Sequence, residues 1–447
     1  MVRGGVPGAA IAILRDGRVD SVAGYGVRIA GQAAPVGPNT LFSVGSVSKV
    51  ATAALCLKLV ALGHLDLDRS VDHWLKRWRI PAAPAGDSAD ITLRMLLSHT
   101  AGFNVHGFQD IAPDAPMPTL IQTLDGAAPA INKPLVRIDP AGTRLRYSGG
   151  GYVIVQAVIE DVLGVPLGAA AARYLFAPLG MTRSRFDAAP AADTADIAHA
   201  HDGDGKAVAL PRGWQSFPEL APSGLWTSAG DLARLVLALG ASYRTPGGFL
   251  PQELAVDMMT VVSPGPFGLG PRLAGEGAAR IFHHGGANDS YKAYIEGNLA
   301  TGDGLVILTN GANGDVLGDE IRNAVSDALS WPGDWSVQTG PIAAARLFES
   351  FLGSYNRRAD QNRTLAGLLD LTFSAESLEI TRSAEGLQMT ARGNSRALVA
   401  VTSNRFVVPD SYIPAGTLQL SFHRGADRSV RELTVIGGGG VLIFDRA

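Results

Sequence analysis

The chain has 447 residues, 46% hydrophobic and 18% charged, which describes a folded globular protein of two or three domains and excludes a disordered one. A formal net charge of −3 gives no electrostatic footing for nucleic acid. The single cysteine, Cys56, excludes internal disulfides and thiolate metal clusters, and its place in an apolar stretch reads as an inert core thiol. The longest apolar stretch, 50–62, is interrupted by Lys58 and is too short for a membrane span. Met1-Val2-Arg3 leads directly into strand-like sequence without a signal-peptide pattern, and the cellular compartment stays open.

Ala9, Ile11 and Ile13 alternate before Asp16-Gly17, with Val19 and Val22 beyond, which predicts a tight β-hairpin. A helix is expected from Ser46 to about Leu62, closed by Gly63 as a left-handed cap. From Leu65 to about Val262 the texture is helical and loop-like. Helices are expected at 91–97, 152–162 and 228–239, the last opened by a Ser228/Asp231 capping pattern. Strand character returns at 291–295 and 305–308, followed by a helix over 317–329. Strands at both ends of this region predict an α/β (α+β) fold, with one antiparallel sheet flanked by helices and an all-helical insertion over 65–262.

Beyond about residue 343, Leu378/Ile380, Leu387/Met389, Leu418/Leu420/Phe422, Leu433/Val435 and Val441/Ile443 alternate with turn residues between them. That pattern predicts an all-β module, barrel or sandwich. The expected organisation is therefore a domain over 1–335, a linker at 336–342 and a β-barrel domain over 343–447.

Ser46-Val47-Ser48-Lys49 is the one Ser-x-x-Lys in the chain, and it opens the first long helix. Three residues apart on a helix, hydroxyl and amine share a face. The helix N-terminus also favours negative charge forming nearby. Only six of the 38 basic residues are lysine. Arginine cannot give up its proton, whereas a desolvated lysine can, so Lys49 is a candidate base for a Ser46 nucleophile. The plain alternative is a solvated helix lysine. Tyr147, just before the 152–162 helix, is a candidate second proton carrier, or else a packing residue with a wet tip. The glycines of His284-Gly285-Gly286-Ala287 allow a backbone edge close to a ligand, with the Ala287 and Ser46 N–H groups as an oxyanion hole; the alternative is a simple β-turn.

Taken in order, Phe42 to Lys49, Leu96-Leu97-Ser98-His99-Thr100-Ala101-Gly102, Tyr147-Ser148-Gly149, Pro178 to Thr182, Gly224 to Ser228 and His284-Gly285-Gly286 resemble the motifs of the serine β-lactamase/penicillin-binding-protein superfamily. The resemblance is to the branch with class C β-lactamases, family VIII-type esterases, D-aminopeptidases and DD-peptidases, over about 6–335. The tail resembles the lipocalin-like barrel carried by some D-amino-acid-specific peptidases of that group. The resemblance implies Ser46 as nucleophile, Lys49 as base, Tyr147 as proton shuttle and His284 in the third-motif position. Gly149, Gly285 and Gly286 are then expected to border the substrate. His99 and Thr100 read as a structural helix end outside the site.

Two departures bear on substrate. Gly149 replaces the asparagine of Tyr-x-Asn, removing an amide that binds an acylamide. His-Gly-Gly replaces Lys-Thr-Gly, exchanging a permanent charge for an imidazole mostly neutral at pH 7. Both weaken the grip on a penicillin-like acid. That family's helix before the first strand has no counterpart here, so an upstream segment is expected.

Other chemistries lack their patterns. There is no Gly-x-Ser-x-Gly elbow, no His-Glu-x-x-His and no phosphate loop around Gly149-Gly150-Gly151, and His199-x-His201 has no carboxylate company. The reading is a serine hydrolase without metal or cofactor, acting on a small ester, amide or short D-configured peptide. Its alternatives are a slow-turnover β-lactamase or penicillin-binding protein, and a non-catalytic sensor or scaffold. No nucleic-acid or membrane partner is expected, and self-association is left open.

Overall fold

Asp16 and Gly17 both take positive φ, so the first hairpin closes with the turn that Asp-Gly favours. The structure, a computed structural model, describes residues 1, 5–81, 90–332, 345–359, 375–383, 386–400, 404–408, 418–425, 427, 429–437 and 440–447. The expected linker at 336–342 lies outside them.

In chain order the strands of the first part are β1 (Gly8–Arg15), β2 (Arg18–Gly26), β3 (Phe42–Ser43), β4 (Arg185–Phe186), β5 (Leu225–Thr227), β6 (Arg272–Ala274), β7 (Ile281–Ala287), β8 (Lys292–Asn298) and β9 (Gly304–Thr309). The helices are α1 (Ser48–Ala61), α2 (Leu93–Leu97), α3 (Leu120–Asp125), α4 (Gly149–Leu163), α5 (Leu167–Ala171), α6 (Leu220–Ser223), α7 (Ala229–Arg244), α8 (Gln252–Met258) and α9 (Gly314–Ala328). The main sheet has the order β2-β1-β9-β8-β7-β6, antiparallel throughout. The two ends of this region thus meet at the β1–β9 pairing, with Ala9 opposite Thr309 and Leu14 opposite Gly304. Helix α7 lies against β1, β8 and β9.

The insertion is not wholly helical, because β4 and β5 pair with β3 in a second, three-stranded sheet. Strands of two or three residues are too short to show a period, and for that reason they escape a periodicity reading. Among the described residues no single helix is long and apolar enough to cross a membrane.

Helix α1 is buried on nearly every side, including Lys49, Thr52 and Cys56. A helix covered all round sits inside the molecule rather than on its surface. It ends as expected, with Gly63 at φ 75°. Burial pushes the Cys56 thiol up to about 12, as befits an inert core thiol.

The chain divides into two compact units, Met1–Gly318 and Asp319–Ala447. In the second, β10 (Gly353–Arg357), β11 (Ser377–Ser383), β12 (Gly386–Ala391), β13 (Asn394–Ala400), β14 (Arg405–Val408), β15 (Leu418–Arg424), β16 (Val430–Gly437) and β17 (Gly440–Arg446) form a closed barrel in sequential order. The β10–β17 pairing, Tyr355 opposite Arg446, closes it. Leu378, Ile380, Leu387, Met389, Leu420, Phe422, Leu433 and Val435 are buried as their alternation predicts. In β17 the phase is reversed: Leu442 and Phe444 are buried, whereas Val441 and Ile443 are not. Four consecutive apolar residues leave a two-residue period undefined there. Phe351 stacks on Phe422 at 4.4 Å inside this core.

Candidate active site

Ser46 lies in a single 3₁₀ turn, Gly45–Val47, that runs into α1. Gly45 takes φ 46°, and a Cβ there would stand 2.7 Å from the Ala287 nitrogen. A Cβ on Gly286 would collide with the Val44 carbonyl. Two glycines on facing segments therefore let the end of β7 press against the Ser46 turn, which brings the Ala287 amide against the residue next to Ser46. Asn288 fastens the same junction by donating from Nδ2 to Ser43 Oγ at 2.6 Å.

Lys49 follows one turn later, 2% exposed, with Nζ 3.0 Å from Ser46 Oγ and 3.0 Å from the Pro222 carbonyl oxygen. The α6 turn that supplies this carbonyl is stitched to α1. Thr52 Oγ1 donates to Ala221 O at 2.9 Å, and Leu225 N–H donates to Ser48 Oγ at 3.0 Å. Burial lowers the Lys49 pKa, opposed by Tyr147 and assisted by Arg272. Desolvation disfavours the ammonium and so favours the neutral amine that a base requires.

Tyr147 is 7% exposed and stands with its ring centroid 4.9 Å from Lys49 Nζ. Ser148 caps α4, accepting from Gly151 N–H at 3.0 Å and donating to Val105 O at 2.8 Å. The helix begins three residues earlier than periodicity predicts, because its opening glycines fit under the 105–108 segment. Gly149 N–H donates to His106 O at 2.9 Å, and a Cβ on Gly149 would come within 3.1 Å of that oxygen. Gly149 thus offers neither a free amide nor much room.

His284 is fully buried on β7, its ring 6.3 Å from that of Tyr147. Nδ1–H donates to Gly285 O at 2.6 Å, since a carbonyl only accepts, and this leaves Nε2 as a bare acceptor. Nε2 is buried with no hydrogen-bond partner among the described residues. Burial, then Arg272 and Lys49, hold the imidazole well below its usual pKa, so it is neutral. Gly285 and Gly286 pair with Tyr294 and Ala293 in the β7–β8 ladder, which makes the His-Gly-Gly segment a strand end rather than a turn.

The structure therefore brings Ser46, Lys49, Tyr147 and His284 together, with the Ala287 amide at the rim. Sequence reasoning missed four contributors. The Pro222 carbonyl and Phe267 carry no motif. The Arg272 guanidinium lies 6.0 Å from the Tyr147 ring centroid and 5.3 Å from that of Phe267, and it stands in register with His283 and, beyond it, Glu296. His99 was read as part of a helix end, and it does close α2, but its side chain lies against Tyr147 at 4.2 Å. Outside this cluster His201 is a structural pin: Nε2 accepts from Ala30 N–H at 3.0 Å and Nδ1 faces Asn310 O at 2.9 Å. No group of His, Cys, Asp and Glu among the described residues could hold a metal ion.

A half-buried serine with a buried lysine one turn away and a phenol beside them, on an antiparallel sheet flanked by helices, defines a serine hydrolase-like class of site. The chain belongs to the Beta-lactamase family, which it matches over residues 1–329. It is 30% identical over 247 residues to esterase EstB of Burkholderia gladioli, across 49% of this chain and 61% of the esterase. The chain thus spans less than two thirds of that relative's length. Among solved structures it resembles the octameric penicillin-binding protein homologue from Pyrococcus abyssi, with a TM-score of 0.62, 20% identity and coverage of 99% of this chain and 97% of the other. The D-amino acid amidase from Ochrobactrum anthropi SV3 gives a TM-score of 0.57 and 23% identity, covering 69% of this chain and 87% of the other.

Proposed function

We propose that the protein is a serine hydrolase that transfers an acyl group to Ser46 from small carboxylic esters or from amides and short peptides of D-configured amino acids. The carrying observation is the 3.0 Å contact between the buried Lys49 amine and the half-buried Ser46 hydroxyl. As an ammonium Lys49 donates to Oγ; as an amine, held by its other N–H to Pro222 O, it turns a lone pair on the hydroxyl.

Lys49, directly or through Tyr147, takes the Ser46 proton while Oγ bonds to the substrate carbonyl carbon. The oxygen gains negative charge, which the Ser46 and Ala287 N–H groups stabilise. The bond to the alcohol or amine breaks, and the leaving group receives the proton by way of Tyr147. Water then attacks the acyl carbon and gives a proton to the same base, which passes it to Oγ as the acyl–Oγ bond breaks and the carboxylic acid leaves. Neutral His284, its Nε2 buried, adds no charge beside the Tyr147 ring.

The relatives named an esterase and a D-amino acid amidase support this range of substrates. The test is a parallel screen of p-nitrophenyl esters, D- and L-amino-acid anilides and nitrocefin. Turnover of esters or D-anilides that vanishes in Ser46→Ala, with the fold retained, is expected. Turnover unchanged in Ser46→Ala would move the nucleophile elsewhere.

A further inference from the structure

His99 occupies the residue after the C-cap of α2 at φ 62°, a position that normally falls to glycine. The cap is a complete Schellman motif, with Thr100 N–H on Met95 O at 2.9 Å and His99 N–H on Leu96 O at 3.4 Å. A left-handed conformation carries a steric cost for any residue with a Cβ. Glycine would close the helix without that cost, so the cap alone does not explain a histidine.

The side chain does something else. Nδ1 accepts from Ser148 N–H at 3.1 Å, and the His99 carbonyl accepts from Arg146 N–H at 2.8 Å. One residue thus holds the N–H groups of the residues before and after Tyr147. Its ring lies over the Tyr147 ring at 4.2 Å with a tilt of 33°, and Phe267 meets it edge-on at 4.8 Å. Accepting at Nδ1 requires the neutral ring to carry its proton on Nε2. That N–H is buried with no hydrogen-bond partner among the described residues, which is unfavourable. Burial, then the charges of Lys49, Arg272 and His106, keep the ring neutral and so keep Nδ1 an acceptor.

We propose that His99 is the positioning residue for Tyr147: its Nδ1 and carbonyl hold the N–H groups of Ser148 and Arg146, the residues on either side of it, and its face fixes the ring's tilt toward Lys49. This rests on the reading of Tyr147 as proton carrier given above. His99 touches no reacting atom in this scheme and acts only through Tyr147.

The test measures ester hydrolysis by His99→Phe and His99→Asn, each in the natural background and in Tyr147→Phe. Phenylalanine keeps a ring and loses the acceptor. Asparagine tolerates left-handed backbone and offers Oδ1 near the Nδ1 position. His99→Phe is expected to lose about 10–100-fold in kcat with KM within about twofold, since small misplacement of a reacting group has effects of that size. His99→Asn should recover most of that loss. In the Tyr147→Phe background both changes should fall to less than about twofold, because a residue acting through another has nothing left to position.

Equal fold losses in the two backgrounds would overturn the positioning role while leaving Tyr147 in place, as would a His99→Asn loss as deep as that of His99→Phe. A Tyr147→Phe variant as fast as the natural protein would overturn the Tyr147 reading and the His99 proposal together. Should His99→Phe fail to fold, His99→Gly, which suits the backbone and lacks the acceptor, takes its place with the same expected losses.

Discussion

Ser46 and Lys49 stand one turn apart on one stretch of chain, whereas Tyr147 reaches them from the start of another helix. The first pair is set by local geometry and needs the fold only to bury it, with Nζ 3.0 Å from Oγ. Tyr147 has no such internal ruler. Its place depends on the two His99 hydrogen bonds, the ring beneath it and the Ser148 cap. One half of the site should therefore fail through lost chemistry, and the other through lost alignment.

The largest effect that separates these halves is expected from Lys49→Arg. Arginine keeps a charge but cannot give up a proton. Loss of a general base costs about 10²–10⁴-fold in kcat, and steady-state kinetics on the folded variant should show that loss. Activity within about tenfold of the natural rate would show that proton removal at Ser46 does not run through this side chain.

Gly286→Ala attacks alignment on the Ser46 side. The added methyl would strike the Val44 carbonyl and push β7 away from the Ser46 turn. Overpacking of this kind costs about 1–3 kcal/mol of stability, and the shifted amide at Ala287 should lower kcat by about 10²-fold, the loss known for one oxyanion donor. A stable variant with unchanged kcat would dissociate the Ala287 amide from the reaction.

The smallest effect on turnover comes from a group away from the reacting atoms, whose readout is stability. Glu219, 4% exposed, precedes the α6 turn that holds Lys49. Burial, partly offset by its own backbone N–H and reinforced by Asp110, pushes its carboxyl up to about 8 from the ordinary 4.5. The folded protein keeps this proton where the unfolded chain has released it. The associated stability is therefore full below about pH 4.5 and is lost as pH rises toward 8. Each unit of displacement corresponds to about 1.4 kcal/mol. Melting temperatures between pH 5 and 9 should fall less in Glu219→Gln than in the natural protein, and parallel curves would contradict this. Asp110, pushed up to about 7 by burial and by Asp289, shifts stability in the same direction and leaves a residual slope.

What was legible in the sequence follows the same division. The Asp16-Gly17 hairpin, the helical stretch that carries Ser46 and Lys49, and the Gly63 cap are local patterns and form near where expected, although Ser46 lies in a 3₁₀ turn and α1 itself opens at Ser48. The joining of the first and last strands of the main sheet was also accessible, since both ends carry β character around a helical middle. Long-range partners were not. Nothing in the letters around Pro222 or Arg272 announces a carbonyl or a cation beside Lys49 and Tyr147. His99 illustrates the limit best: its role as a helix end is written locally, but its hold on Tyr147 exists only once two distant segments pack. The reversed phase of Val441 and Ile443 has another origin, a run too uniformly apolar for its period to be read.

The central claim is that a covalent acyl group forms on Ser46. The direct measurement is rapid quenching of an ester reaction followed by peptide mass mapping. The expected result is a transient acyl mass on the peptide containing Ser46, slower to appear in Lys49→Arg and absent in Ser46→Ala. Product release with the acyl group on another peptide, or with no acyl-peptide formed at any time during turnover, would contradict the account.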